Sequence, residues 1–99
     1  MSLKLLSIAP STNPDKKYMA KFERDGRSLT THFGAKGYTD FIQSGGDKER
    51  RERYLQRHRG MGEDWNDPTS AGALSRWILW GEYPSLNKNI SAFRKRFNL

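Results

Sequence analysis

Apolar and polar residues alternate along two short segments in the first third of the chain. Tyr18, Ala20 and Phe22 occupy every second position of residues 18–23, and Leu29 and Phe33 share one face of the next segment. A period of two residues is typical of β-strands with one buried face. Residues 18–23 and 29–33 are therefore predicted to be strands.

The link between these segments contains Asp25-Gly26, which favours a type I′ hairpin because both central residues of that turn need positive φ. Residues 3–9 predict a weaker strand. A turn-rich stretch over residues 10–16, which is a candidate flexible segment, separates that strand from the hairpin because its prolines cannot continue a ladder. A three-stranded antiparallel sheet is the expected result.

The rest of the chain has the features of helices. After a glycine-rich joint at residues 43–46, Asp47 is a suitable N-cap for a helix that extends to about Arg59 and stops at the glycines that follow. A second helix is expected to begin with Asp67 as N-cap and Pro68 as first residue, and to end at Gly81 as a C′ glycine. Its apolar face would be Ala71, Leu74, Trp77 and Ile78.

A third helix is expected after Pro84-Ser85, with an apolar stripe formed by Leu86, Ile90, Phe93 and Phe97. The whole pattern predicts one α+β domain over residues 1–99, in which a small antiparallel sheet packs with about three helices. Residues 68–97 would form a helical hairpin that supplies most of the core.

The composition narrows the class of protein. The chain has 99 residues, of which 34% are hydrophobic and none is cysteine, so disulfides and thiolate metal sites are excluded. Its longest apolar run, residues 77–80, is far short of the roughly 20 residues that cross a bilayer. The first residues lack the pattern of a secretory signal. We therefore expect an intracellular protein that is not secreted and has no membrane partner.

The charge is strongly positive and unevenly distributed. Lysine and arginine number 18 against 11 acidic residues, which gives a net charge of +7. The excess lies in residues 1–60 and 88–99, whereas residues 61–87 are net negative. Such a distribution predicts surface patches of opposite sign.

The first predicted helix is rich in arginine. At 100° per residue, Arg50, Arg53 and Arg57 lie within about 60° of one another on the helix surface. Guanidinium groups donate in a fork that matches phosphate oxygens, so this stripe suits phosphate contacts. The alternative is an ordinary solvated helix whose arginines pair with acidic residues of the same helix and of residues 63–67.

A second basic candidate lies in the turn after the hairpin, where Gly34 and Gly37 flank Lys36 and leave backbone donors accessible to an anion. A plain tight turn that leads from the sheet to the helices is the favoured alternative. The basic end of the chain, Arg94, Lys95 and Arg96, is the third candidate.

Metal binding and catalysis find little support in the sequence. His32 and His58 are far apart and lack the spacing of zinc ligands, and the acidic residues at 63–67 serve equally well as capping groups. Ser70 and Ser75 have no base nearby in the sequence, so nucleophilic catalysis has no positive support. We predict no metal, no cofactor and no catalytic residue.

The chain contains three tryptophans, two of them in the second predicted helix. Trp77 falls on the core stripe, whereas Trp80 is placed to point toward the third helix or a partner. Core packing is the favoured interpretation, and an exposed Trp80 would indicate an interface anchor.

Six segments resemble a small uncharacterised family of unknown function, found in large double-stranded DNA viruses of algae and amoebae and in some algae. They are FGAKGYTD at 33–40, DKERRERY at 47–54, RHR at 57–59, EDWNDP at 63–68, AGALSRWILWG at 71–81 and SAFRKRF at 91–97. The resemblance spans roughly residues 17–97 and departs from the family only in the link at 43–46. It implies a virus-related origin and brings no activity with it.

Together these features predict a non-enzymatic accessory protein that binds nucleic acid, with DNA favoured over RNA. The predicted contacts are Lys36, Arg50, Arg53, Arg57, Arg94, Lys95 and Arg96. The alternative is a structural protein, such as a virion-associated one, that docks on other viral protein chains. If the origin is viral, either protein would act in the infected cell or be packaged in the virion.

Overall fold

The computed structural model describes residues 2–99 and contains one antiparallel sheet. Its strands are β1 (Leu3–Pro10), β2 (Lys16–Arg24) and β3 (Arg27–Ala35), paired in the order β1-β2-β3. Asp25 and Gly26 have φ values of 51° and 79°, which confirms the predicted hairpin turn. The expected third strand is also confirmed as β1.

One face of the sheet carries the core. Phe22 pairs with Leu5 on one side and with Leu29 on the other, and Phe33 lies further along the sheet. Phe22 and Phe33 are fully buried. The register shifts after Leu5, so Leu6 forms a bulge and is 51% exposed.

Two of the three predicted helices are confirmed, and so is the Asp47 N-cap of the first. Helix α1 (Lys48–Arg59) begins where the Asp47 carboxylate accepts a hydrogen bond from the Arg50 backbone N–H. The chain also contains a 12-residue helix at Leu86–Phe97, whose N-cap is Ser85 and whose C-cap, Asn98, is left-handed. We label it α3, after the shorter helix α2 (Ala71–Leu74) that precedes it.

The predicted start of the second helix is wrong. Helix α2 begins at Ala71, where the Ser70 hydroxyl accepts from the Ala73 backbone N–H. Asp67 instead accepts from the backbone N–H and the hydroxyl of Thr69, so it caps a separate turn before the helix. Ser70, three residues after Asp67, is also a residue type that caps helices, so the residue types alone do not fix the start.

Helix α2 continues directly as a π-helical segment, Ser75–Leu79, in which the Trp80 N–H donates to the Ser75 carbonyl. The wider turn rotates the residues that follow relative to an α-helix. Trp80 is therefore buried, at 9% exposure, while Trp77 is only half-buried. The favoured prediction of core packing is therefore confirmed for Trp80. Trp77, predicted on the core stripe, packs against the core from a partly exposed position.

Gly81 ends this segment for a different reason from the one predicted. Its φ is not in the left-handed region, but a Cβ there would lie 2.4 Å from the Trp77 carbonyl oxygen and 2.7 Å from Asn89 Oδ1. Close packing against α3 therefore selects glycine at this position.

The core is shared by the sheet and the helices. Leu74, Ile78 and Phe93 are buried at its centre, so the helical hairpin contributes as expected, and Phe41 and Leu55 extend the core toward α1. Asn89 is buried without exposure and holds the loop before α3, donating to the carbonyls of Ile78 and Tyr83 at 2.7 Å each. Of the helices in residues 2–99, none is long and apolar enough to cross a membrane.

Candidate nucleic-acid interface

Helix α1 presents its arginines to solvent. Arg53 and Arg57 are exposed, and within residues 2–99 neither forms a salt bridge. Arg50 is half-buried, and its Nε lies 3.8 Å from Asp47 Oδ2 in a loose, partly solvated pair. Because such a pair is worth little, the predicted stripe keeps its capacity to bind an anion.

The acidic side chains of residues 63–67 have partners other than the arginines of the stripe. Glu63 Oε1 lies 2.7 Å from His58 Nδ1, and Asp64 accepts from the Asn66 backbone N–H. Hydrogen bonds from Thr69 hold the pKa of Asp67 below its ordinary value. Within residues 2–99, the arginines of the stripe form no salt bridge with residues 63–67, which are one of the two sets of partners in the solvated-helix alternative.

Side chains rather than close backbone packing attach α1 to the body. The Tyr54 ring stacks on Trp80 with centroids 4.4 Å apart and planes 5° apart, and on its other neighbour His58 at 4.1 Å. Arg51 Nε donates to the carbonyls of Trp80 and Gly81. An arginine that lies off the predicted phosphate stripe is thus the one that anchors the helix.

The same Trp80 carbonyl also accepts from Arg76 Nη1 at 3.1 Å, so two guanidinium groups cap the free carbonyls where the π-helical segment ends. Burial, followed by the charge of Arg51, lowers the pKa of Arg76 to about 10. Arg76 still carries its charge at neutral pH, and it stacks over Trp77 at 4.1 Å.

The Tyr54 hydroxyl is buried and has no hydrogen-bond partner within residues 2–99. Burial raises the pKa of Tyr54 above its ordinary value, with the charge of Glu63 adding to the effect. The phenol therefore stays neutral, and leaving it unpaired costs about 1–3 kcal/mol.

A cavity of about 370 Å³ opens beside this stack, between α1, the turn after β3 and the π-helical segment. Its apolar lining includes Tyr54, Leu79 and Trp80, and its polar lining includes Arg57, His58 and Ser75. Two further lining residues, Tyr38 and Met61, are 72% and 62% exposed and so lie at its open side. The stripe of arginines therefore ends, at Arg57, on the cavity.

A largely buried lysine holds the turn that forms the other side of the cavity. Lys17 Nζ lies 2.7 Å from Asp40 Oδ2 and 2.8 Å from Gln43 Oε1, and it also donates to the backbone carbonyl of Tyr38. Asp40 is only 2% exposed. A buried charge pair with these additional hydrogen bonds fixes the turn, and Lys36 projects from it as an exposed residue.

The residues after β3 form a tight turn, which the sequence favoured over an anion-binding loop. Gly34 and Gly37 both have positive φ. A Cβ on Gly34 would lie 2.7 Å from Leu79 Cδ1, so glycine also allows β3 to approach the π-helical segment.

The basic residues at the end of α3 are arranged differently. Arg94 Nη1 donates to the Leu5 carbonyl at 2.9 Å and ties α3 to β1. The Arg96 guanidinium lies 3.6 Å from the centre of the Trp77 ring. Lys95 is exposed. None of these three residues lines the cavity that contains Arg57.

Comparison with known proteins adds one match: the family model described as "Family of unknown function (DUF5754)" covers residues 6–58, more than half of the chain. The chain belongs to this family. No curated protein and no solved structure matches it. The DUF5754 match takes in β2, β3, the lysine-held turn and α1 up to His58, and it excludes α3.

Within residues 2–99 of this DUF5754 chain, no three His, Asp or Glu side chains are placed to hold a metal ion. His32 Nδ1 is 2.7 Å from the Ser11 hydroxyl, and His58 is paired with Glu63.

Lys17, Asp40 and the role of Tyr38 were not predicted from the sequence. One local signal was available, because Asp40 and Gln43 have the spacing of a capping box. The structure shows both of its hydrogen bonds, Gln43 N–H to Asp40 Oδ1 and Asp40 N–H to Gln43 Oε1. The partner Lys17 is 23 residues away along the chain and gives no local signal.

Proposed function

We propose that the protein binds nucleic acid without catalysing a reaction on it, and that the α1 arginines make the phosphate contacts. The observation that carries this proposal is that Arg53 and Arg57 are exposed and form no salt bridge within the described chain, while Glu63, Asp64 and Asp67 have other partners. Arg50 and Lys36 are the additional contacts. The net charge of +7 supports the same proposal by favouring association with a polyanion.

Within this proposal, the α3 cations are secondary. Arg94 and Arg96 already use their guanidinium groups on a carbonyl and on a tryptophan ring. Lys95 is a single exposed charge that strengthens binding without positioning it. The phosphate-binding surface is therefore centred on the half of the chain that the family model covers.

DNA is the proposed polymer and a virus-related setting the proposed context. The support is the resemblance of residues 17–97 to a family from double-stranded DNA viruses. In that setting the protein would act inside an infected cell or be packaged with the genome in the virion.

The test is the salt dependence of binding, followed by fluorescence anisotropy of labelled duplex DNA between about 50 and 200 mM salt. The variant Arg53→Gln/Arg57→Gln should bind more weakly, and the slope of log K against log salt should fall by about 1.8 for two lost phosphate contacts. The control Lys4→Gln/Lys21→Gln removes two exposed charges from the sheet and should change the slope much less. A parent protein that binds no nucleic acid at low salt would refute the proposal.

Docking on a protein partner is the second candidate, favoured by apolar residues that the fold leaves at the surface. Leu6 is 51% exposed on the β1 bulge and Tyr83 is 41% exposed in the loop before α3. Both are isolated rather than part of a demonstrated patch. This candidate becomes the better one if nucleic acid does not bind.

A further inference from the structure

The cavity beside α1 has three features that phosphate binding alone does not require. It is lined mainly by aromatic and aliphatic groups, an exposed tyrosine ring stands at its open side, and the last arginine of the α1 stripe borders it. Small-molecule sites have this combination of apolar walls with a few polar groups. Glu63 also lines the cavity, but its carboxylate is paired with His58. A ligand that is flat and apolar on its faces, with a negative charge beside Arg57, matches these features.

We propose that this cavity receives an unstacked base of single-stranded DNA, with the base against Tyr38 and an adjoining phosphate on Arg57. The inference rests on the proposed function and assigns the form of nucleic acid to it. A duplex keeps its bases stacked and paired, so only a single strand can place a base in the cavity without an additional unstacking cost.

The position of Arg57 supports this assignment. Arg50, Arg53 and Arg57 extend over about 10 Å of helix, and the last of them lines the cavity. A strand whose phosphates follow the stripe is therefore led to the cavity opening. Exposed Lys36 lies two residues before Tyr38 in the same turn and adds positive charge there.

Tyr38 is held in place before any ligand arrives. Its backbone carbonyl accepts from Lys17, whose charge is neutralised by buried Asp40, while the Tyr38 side chain is 72% exposed. An exposed aromatic ring on a fixed turn is a suitable stacking platform, because little conformational freedom is lost on binding. Removing the ring leaves the backbone hydrogen bond that orders the turn intact.

The test compares Tyr38→Ala with Tyr38→Phe, using the full chain and labelled DNA of about 16 nucleotides, single-stranded or as a duplex of the same sequence. We expect Tyr38→Ala to weaken single-strand binding roughly tenfold, in line with the loss of one stacked base, and to leave duplex binding unchanged. Tyr38→Phe keeps the ring and should bind like the parent. Met61→Ser, at another exposed residue of the cavity lining, should weaken single-strand binding by a smaller factor.

The outcomes separate this inference from the proposed function. If the parent binds single strand and duplex alike and Tyr38→Ala changes neither, the cavity is not a base site, although phosphate binding by α1 stands. If both Tyr38 variants weaken single strand and duplex equally, the tyrosine acts on the fold or the phosphate surface, and the inference is also wrong. If no nucleic acid binds, both proposals fail. Equal binding of a free nucleoside monophosphate and the oligonucleotide would replace the single strand with a small-molecule ligand.

Discussion

Helices α1 and α3 are both 12 residues long, both are capped at their N-termini by a side chain, and both end in a basic turn. They differ in how their arginines are used. On α3, Arg94 binds a carbonyl of β1 and Arg96 stacks on Trp77. On α1, Arg53 and Arg57 contact solvent. Basic composition alone therefore does not identify a binding surface, because arginine also serves as a structural donor.

The two helices also differ in how firmly they are anchored. Phe93 of α3 is 1% exposed and packs in the centre of the core, whereas α1 contributes Tyr54 and Leu55 from the edge of the core. Phe93→Ala should lower the free energy of unfolding by about 3–5 kcal/mol, and Leu55→Ala by about 2–3 kcal/mol. Chemical denaturation of both variants checks this order. A larger loss for Leu55→Ala would show that α1 is the better anchored helix.

The structural use of Arg94 can be measured separately from its charge. Arg94→Met keeps the aliphatic part of the side chain but removes the hydrogen bond to Leu5, so it should cost about 1.5 kcal/mol of stability. Lys95→Met, at the exposed neighbouring position, loses the same charge and should cost less than about 0.5 kcal/mol. Equal melting temperatures for the two variants would mean that Arg94 does not tie α3 to β1.

Removing the Tyr54 hydroxyl, in contrast, should increase the free energy of unfolding. Tyr54→Phe removes a buried hydroxyl that has no partner in the described chain and should stabilise the protein by about 1 kcal/mol. In the parent protein, folding raises the pKa of Tyr54. The unfolded parent therefore loses the phenol proton above pH 10.0, while the folded parent keeps it. Titration of Tyr54 therefore leaves the stability of the parent protein unchanged below pH 10.0 and lowers it at higher pH.

Urea melts of the parent and of Tyr54→Phe across this alkaline range measure the effect. The variant should lose less stability than the parent as the pH rises. If Tyr54→Phe were less stable than the parent and lost stability with pH in the same way, the hydroxyl would have a hydrogen-bond partner in solution.

The smallest expected change in stability belongs to the proposed phosphate contacts. Arg53→Gln/Arg57→Gln should unfold within about 0.5 kcal/mol of the parent, because both side chains are exposed and unpaired among residues 2–99. Thermal melts check this directly. If the variant unfolded at a much lower temperature, these arginines would stabilise the fold, as Arg94 is expected to do.

Local signals in the sequence were sufficient for much of the fold. Asp25-Gly26, Asp47 and Ser85 each act within a few residues, so the hairpin and the starts of α1 and α3 could be predicted. The π-helical segment could not, because its effect on Trp77 and Trp80 depends on packing against α1 and α3. A helical wheel assumes a constant period, so it does not show that Trp80 is more deeply buried than Trp77.

The candidate site was predictable only in part, for a similar reason. The spacing of Arg50, Arg53 and Arg57 places them on one stripe in any regular helix. Which arginines remain free depends on tertiary partners, and the Lys17–Asp40 pair that positions Tyr38 joins residues from different parts of the chain.

An NMR titration would show whether α1 and the turn after β3 form the nucleic-acid surface. Backbone amide shifts of the labelled protein would be followed while single-stranded DNA is added. We expect the largest shifts at residues 36–38 and 53–61, with little change along α3. Shifts concentrated at residues 94–96, with α1 and the turn unaffected, would contradict this assignment.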